Sequence, residues 1–293
     1  MHYRTASGTA FQIVNYTLFT LFCASILVPF LNAIAISLSS YQAVAMGRIG
    51  IWPEGWNFGA YYELTHSLQF FRSFMNTAML TLVNTTLVIL LALAAAYALS
   101  HKHLIGKRIV FSYLLIPMFF NGGLIPTYLL VNRIGLNDSY LALILPSICS
   151  IFYIIVFKNA IDQLPKELQE SAEIDGCGEG RMMVRIILPL VLPMAMAFTV
   201  FSAVAYWNEW FGVLLYIRDK SMWTLQYQLR DILISSELVD SKTRNLLADR
   251  AVKVHPENLK MAALMITILP IVVIYPFVQT YFIHGQFVGA VKG

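Results

Sequence analysis

The sequence predicts an all-α integral membrane protein with six transmembrane helices. Of its 293 residues, 58% are hydrophobic and only 12% are charged, whereas a typical soluble domain carries about 25% charged residues. Six apolar runs reach the length of roughly 20 residues that a helix needs to cross a bilayer. Because backbone polar groups in lipid must be satisfied within their own segment, we expect each run to be a helix.

The six runs and their connections form a single predicted transmembrane domain over residues 1–293. The first run follows His2 and Arg4 and is much longer than the apolar part of a signal peptide, so we interpret it as an uncleaved span. The loop 218–260 contains Trp223, Leu225 and Leu229 at loosely helical spacing, which predicts a short amphipathic helix. The predicted spans lie near 12–37, 73–99, 109–132, 139–158, 187–217 and 261–284.

The distribution of basic residues favours cytoplasmic N- and C-termini. With that orientation the short outer loops hold only Arg48, Arg72 and Arg133, as expected from the excess of Lys and Arg on the cytoplasmic side. The outer loop 218–260 breaks the pattern, since it carries eight basic and six acidic residues. The inner side then holds Arg4, Lys102, Lys107, Arg108, Lys158, Lys166, Arg181, Arg185 and Lys292.

The loop 160–189, after the fourth span, carries the most specific pattern. Pro165 suits the start of a helix, and Glu170 lies toward the positive helix N-terminus. The pair Asp175-Gly176 predicts a turn, because glycine adopts positive φ without strain. Pro189 can open the fifth span. The loop is therefore predicted to be a charged helix–turn–helix elbow suited to docking into a partner.

This elbow resembles the loop shared by permease subunits of binding-protein-dependent ABC importers. The departures from the family pattern are Ser171, Cys177 and Met183. Trp207-Asn208-Glu209 is similar to a signature of the carbohydrate-type permeases, and the tail 285–293 is similar to the aldouronate and polygalacturonate branch. Leu188 also falls at the family's spacing. The residues that the resemblance assigns to ATPase coupling are Glu170, Ala172, Asp175, Gly176, Ile186 and Pro189.

The resemblance implies a type I ABC importer permease fold with a cytoplasmic coupling helix, located in the bacterial inner membrane. It implies four protein and substrate partners: an ATPase subunit dimer, a sister permease that makes a heterodimer, a periplasmic solute-binding protein and a sugar. The substrate would be a uronate-containing oligo- or polysaccharide, with alginate as one example. ATP and Mg would be bound by the partner ATPase, and this chain would hold no cofactor.

The chain shows no site for enzymatic work of its own. Around Gly106-Lys107-Arg108, the upstream glycine of a phosphate-binding loop is replaced by His101, and no Ser or Thr follows the lysine. No metal-ligand spacing occurs, and the modest charge gives no sign of nucleic-acid binding. The alternatives are a secondary transporter or channel subunit, for which Glu209 would be the only ionisable relay, and a structural membrane subunit without a pore.

Polar and aromatic residues within the spans are the candidates for a substrate pathway. Glu209 and Asn208 either contact the sugar beside aromatic rings or form hydrogen bonds between helices. A pore-facing Glu209 would repel a polyuronate, which favours the structural role for that substrate. Asn121 lies at either a cavity-lining break or a packing kink. The loop 218–260 is either a receptor contact or a connector. The candidates are Asn121, Tyr128, Tyr206, Trp207, Asn208 and Glu209.

Overall fold

The computed structural model describes residues 6–101, 104–120, 122–237 and 254–290, and within these ranges all regular secondary structure is helical. Short 3-10 turns cover Leu145–Ser147 and Lys220–Met222, and a π-helical turn covers Met183–Ile187. The α-helices are α1 (Ala6–Ser37), α2 (Tyr41–Ala45), α3 (Gly59–His66), α4 (Leu68–Ser100), α5 (Lys107–Phe119), α6 (Leu124–Arg133), α7 (Leu141–Ile144), α8 (Ile151–Asp162), α9 (Lys166–Ile174), α10 (Glu179–Met182), α11 (Leu188–Trp207), α12 (Phe211–Tyr216), α13 (Leu225–Glu237) and α14 (Pro256–Ala290).

Four helical stretches of the described chain are long and apolar enough to cross a membrane: Gly8–Ser37, Leu68–Ser100, Glu179–Trp207 and Pro256–Pro276. Two bent pairs pass the same test, α5 with α6 and Leu141–Ser147 with α8, each bent by more than 40° at a short break. Counting each pair as one span gives up to six spans, in agreement with the predicted all-α membrane fold. The assignment of 1–293 to one domain remains a prediction.

The predicted third span, near 109–132, is a broken helix. Gly123 has a φ of +88°, which a residue with a side chain adopts only with strain. Pro126 lies in the first turn of α6, where its missing N–H leaves no hydrogen bond unmade. An apolar run sets the length of a span but not its straightness. Both interpretations of Asn121, a cavity-lining break and a packing kink, include an interruption at this point.

The predicted fifth span, 187–217, requires a correction. Its helix α11 ends at Trp207, and the separate helix α12 begins at Phe211. At its other end α11 continues the π-helical turn and α10 without a break. The apolar runs on both sides predicted one span, but the polar pair Asn208 and Glu209 between them interrupts the helix.

The chain forms two compact units, the first from the described residues within Met1–Phe71 and Leu229–Ile268. In this unit the Asn258 amide donates to Ile36 O at 2.6 Å and to Ser39 O at 2.9 Å. Both acceptors lie at the end of α1, where backbone carbonyls lack intrahelical partners. The remainder of α1 has few contacts, and all side chains from 8 to 29 are exposed.

The second unit comprises the described residues within Arg72–Gln228 and Leu269–Gly293, and it contains the predicted elbow. Its larger core combines Leu93 of α4, Phe157 of α8 and Val191 of α11 with two residues from the start of the α10–α11 helix, Met182 and Ile187. A second core lies around Val213 of α12 and includes Leu80, Val131 and Trp223. The elbow is thus anchored on the packed helices of its own unit.

Candidate functional site

The loop 160–189 forms the predicted elbow, with a glycine-capped turn between its two helices. Asp175 ends α9, and Gly176 follows with a φ of +73°. The Cys177 N–H donates to Ala172 O at 2.9 Å, and the Gly176 N–H donates to Glu173 O at 3.0 Å. This pair of hydrogen bonds defines a Schellman motif, in which glycine is the favoured left-handed residue. The local sequence therefore fixes the bend.

One side of α9 packs on the core of the second unit, and the other is exposed. Ala172 is only 6% exposed and belongs to the larger core, with Cys177 packed against it. Ile174, by contrast, is 86% exposed at the last position of α9. We call the exposed residues Leu168, Glu170, Ile174 and Asp175 the elbow surface.

Ile186 and Pro189 lie where the elbow joins the fifth span. Ile186 is partly buried and packs against the larger core. Pro189, exposed in the first turn of α11, follows the π-helical turn Met183–Ile187. Because proline has no N–H, it cannot donate to the Arg185 carbonyl four residues earlier, and a wider turn at this point accommodates that loss.

Sequence reasoning missed a link between the elbow and the end of α4. The Tyr97 hydroxyl donates to Glu179 Oε2, and His101 Nε2 lies 3.1 Å from Glu179 Oε1. The Tyr97 and His101 rings are also in edge-to-face contact, with centroids 5.0 Å apart. Roughly 80 residues separate the partners, so no local spacing could have signalled the contact.

Trp207, Asn208 and Glu209 occupy the break after α11, and the structure gives each a partner within the chain. Trp207 is buried and meets the Phe74 ring edge-to-face at 5.7 Å. The Asn208 amide donates to Val204 O at 2.8 Å. Glu209 Oε1 accepts from the Gly212 N–H at 2.6 Å, so this carboxylate caps the first turn of α12.

The two tyrosine candidates contact different parts of the second unit. The Tyr206 hydroxyl donates to Ser147 O at 3.0 Å, which ties α11 to the bend before α8. Tyr128 stacks on Tyr216, with ring centroids 6.0 Å apart. Four different neighbours therefore hold the consecutive residues Tyr206, Trp207, Asn208 and Glu209. The remaining candidate, Asn121, lies outside the described residues.

The described part of the loop 218–260 is held in place at its start. Asp138, with a φ of +54°, accepts hydrogen bonds from the N–H groups of Arg218 and Asp219. The Asp219 carboxylate accepts from the Ser221 N–H at 2.8 Å, and this hydrogen bond lowers the pKa of the Asp219 carboxyl. The predicted amphipathic helix is present as α13, and residues 238–253 lie outside the described ranges.

Comparison with solved structures shows a close match in fold. A chain in the crystal structure of a bacterial ABC transporter involved in the import of the acidic polysaccharide alginate superposes with a TM-score of 0.89. That match covers 96% of this chain and 100% of the other, at 27% sequence identity. The overall fold of this chain has therefore been observed experimentally.

Comparison with known sequences agrees along nearly the whole chain. Protein LplC of Bacillus subtilis (strain 168) is 38% identical over 294 residues, covering 100% of this chain and 98% of LplC. The polygalacturonan/rhamnogalacturonan transport system permease protein YtcP of the same organism is 33% identical, covering 97% of this chain and 98% of YtcP. The family model for the inner membrane component of binding-protein-dependent transport systems matches residues 89–287. The matched residues include the elbow and the helices on both sides of it. This chain therefore belongs to the family of binding-protein-dependent transport system inner membrane components.

Proposed function

We propose that this chain is one of two permease subunits of an ATP-driven importer for uronate-containing oligo- or polysaccharides. A separate ATPase dimer drives alternating access through the elbow, and the sister permease supplies the second elbow. A periplasmic solute-binding protein delivers the sugar to the outer side, where the loop 218–260 receives it. ATP and Mg are bound by the ATPase, and the residues of this chain bind the ATPase and form the sugar's pathway.

The elbow surface is the observation that carries the proposal. An isoleucine that is 86% exposed lies beside acidic side chains at a rigid, glycine-capped bend. The segment 166–175 contains four acidic residues and one lysine. A partner groove with an apolar floor and basic rim would bury Ile174 and form charge-assisted hydrogen bonds with Glu170 and Asp175. Ala172 would not contact the ATPase, and its role would be to hold α9 on the larger core.

The substrate class rests on the relatives. YtcP is named for polygalacturonan and rhamnogalacturonan, and the structural neighbour imports the acidic polysaccharide alginate. Uronic acid units are common to this chemistry, and each adds a negative charge to the sugar. The Glu209 carboxylate accepts a backbone hydrogen bond from Gly212, so it has a partner in the first turn of α12. This contact supports the structural interpretation of Glu209.

The orientation follows from the same proposal. The elbow must lie in the cytosol to reach an ATPase, which places the N- and C-termini in the cytosol and the loop 218–260 outside. The short loops agree with this orientation, whereas the loop 218–260, with eight basic and six acidic residues, does not follow the charge rule. A secondary transporter or channel would give the elbow surface no partner, and it remains the competing hypothesis for the experiment below.

The experiment is co-purification of the ATPase with variants of this chain in the assembled importer. Ile174→Glu places a charge where an apolar side chain should be buried. Burial of an isoleucine contributes about 1.5–3 kcal/mol, so ATPase binding should weaken by at least about tenfold. The matched control is Ile134→Glu, at a residue that is 61% exposed near the turn at Gly135, which the charge pattern assigns to the outer face.

The outcome separates the hypotheses directly. Loss of the ATPase with Ile174→Glu and its retention with Ile134→Glu supports the importer. Failure of the unmodified chain to retain any ATPase would favour the transporter or channel. Equal retention by both variants would show that the elbow surface is not the docking site.

A further inference from the structure

We propose that α4 mechanically connects the elbow to the outer loop, with Tyr97 and Asn76 as the positioning residues at its two ends. The inference rests on the proposed function, since it concerns how receptor docking outside and ATP hydrolysis inside affect each other. All of the contacts involved lie within the second unit. The evidence consists of two sets of hydrogen bonds, one near each end of the same helix.

At the inner end, Glu179 connects the elbow to α4 with both of its carboxylate oxygens. Oε2 accepts from the Tyr97 hydroxyl, and Oε1 lies 3.1 Å from His101 Nε2. Tyr97 is buried in the larger core, beside residues that also support the elbow. Because Glu179 is the first residue of α10, any displacement of the elbow moves the carboxylate that holds the end of α4.

At the outer end, α4 holds the backbone of the loop that precedes α13. The Asn76 amide donates to Ser221 O at 2.8 Å and to Trp223 O at 3.1 Å. The next residue, Thr77, is fully buried, and its hydroxyl accepts from the Leu225 N–H at 2.7 Å. These three hydrogen bonds fix the start of α13 to α4. Breaking these hydrogen bonds would leave buried backbone groups unsatisfied, which costs free energy. The start of α13 should therefore move together with α4.

Between these contacts α4 is a continuous helix. The 21 residues from Asn76 to Tyr97 span about 30 Å at 1.5 Å per residue, which matches the hydrocarbon thickness of a bilayer. No proline or glycine interrupts residues 72–100, and sharp kinks almost always need such a residue or an inserted group. Two other candidate spans of the second unit are bent helix pairs. A third, Glu179–Trp207, is continuous but contains a π-helical turn and the internal Pro193. Helix α4 is therefore suited to transmit a displacement across the membrane.

The test uses the complete importer in lipid nanodiscs, with ATP hydrolysis measured with and without the sugar-loaded receptor. Tyr97→Phe removes one hydroxyl and keeps the ring, and Asn76→Leu removes the donor at similar size. We expect receptor stimulation of ATP hydrolysis to fall several-fold in each, with normal subunit assembly and unchanged basal hydrolysis. Glu179→Gln retains an acceptor for Tyr97 and should keep most of the stimulation, whereas Glu179→Ala should lose it.

The double variant gives the sharpest result. If the two residues act through one helix, Tyr97→Phe combined with Asn76→Leu should lose no more stimulation than the worse single variant. Tyr113→Phe, at a tyrosine that is 72% exposed, and Asn15→Leu, on the exposed part of α1, are matched controls and should behave as the unmodified chain.

Three results would overturn the inference: normal stimulation in either single variant, multiplicative losses in the double variant, or losses that follow reduced assembly. An unmodified importer that hydrolyses no ATP, or that ignores the receptor, would instead overturn the proposed function. The unmodified complex is therefore measured first.

Discussion

Replacing Gly176 by valine tests the elbow through backbone conformation alone. Gly176 has a φ of +73°, and a Cβ built on it would meet no atom within 4 Å. The cost of the substitution is therefore conformational and not steric. An L-residue in the left-handed region costs about 1–2 kcal/mol, which lowers the population of the native turn about 5–30-fold. Molecules that leave the native turn would also lose the two Schellman hydrogen bonds to the carbonyl oxygens of Ala172 and Glu173.

The assay is sugar uptake by the reconstituted importer, with ATP hydrolysis measured in parallel. We expect Gly176→Val to reduce uptake and raise the ATP consumed per sugar, while membrane insertion stays normal. Gly176→Asn should be milder, since asparagine tolerates positive φ. Gly178→Val is the matched control, because Gly178 has a φ of −71° and equally open space around it. Equal defects at both glycines, or normal coupling in Gly176→Val, would refute the reasoning.

Three further predictions concern the break after α11 and the topology. Glu209→Gln should leave the apparent affinity for sugar unchanged, because the amide oxygen still accepts from Gly212, whereas Glu209→Ala should lower stability in thermal denaturation by about 1 kcal/mol. A changed affinity in Glu209→Gln would return Glu209 to the substrate pathway. Trp207→Ala should destabilise the chain by about 3–5 kcal/mol through loss of its packing on Phe74, with Trp207→Phe milder; equal stability of the two would contradict this. In a chain whose Cys23, Cys149 and Cys177 are replaced by Ala, Asp175→Cys should react with a membrane-impermeant maleimide only in inside-out vesicles, and labelling in intact cells would reverse the proposed orientation.

The parts of the fold that depend on neighbouring residues could be predicted from the sequence. The turn after α9 follows from Asp175-Gly176, since a left-handed residue at a helix end is a local requirement. The helical spans follow from hydrophobic length, and α13 follows from the spacing of Leu225 and Leu229. Each of these features needs information from a window of about 20 residues or fewer.

Features that depend on distant contacts could not be predicted in this way. Glu179 looks like any acid in a polar loop until the fold brings it to Tyr97. Ala172 was assigned to ATPase coupling through a family resemblance, and only the structure places its side chain in the chain's own core. The contact of Glu209 with Gly212 likewise depends on the break after Trp207, whose position the apolar runs on both sides do not reveal.

The exposed length of α1 has a consequence for how this chain can diverge. From residue 8 to residue 29, its side chains contact little else in the chain. Shape complementarity to a packed neighbour, which restricts most core positions, is not required there within this chain. Exchanges among Leu, Ile, Val and Phe along this stretch should leave the packing of this chain itself unchanged, provided that the apolar length stays sufficient for the bilayer. The C-terminal end of α1 should tolerate far fewer substitutions, because the Asn258 amide donates hydrogen bonds to the carbonyl oxygens of Ile36 and Ser39 there.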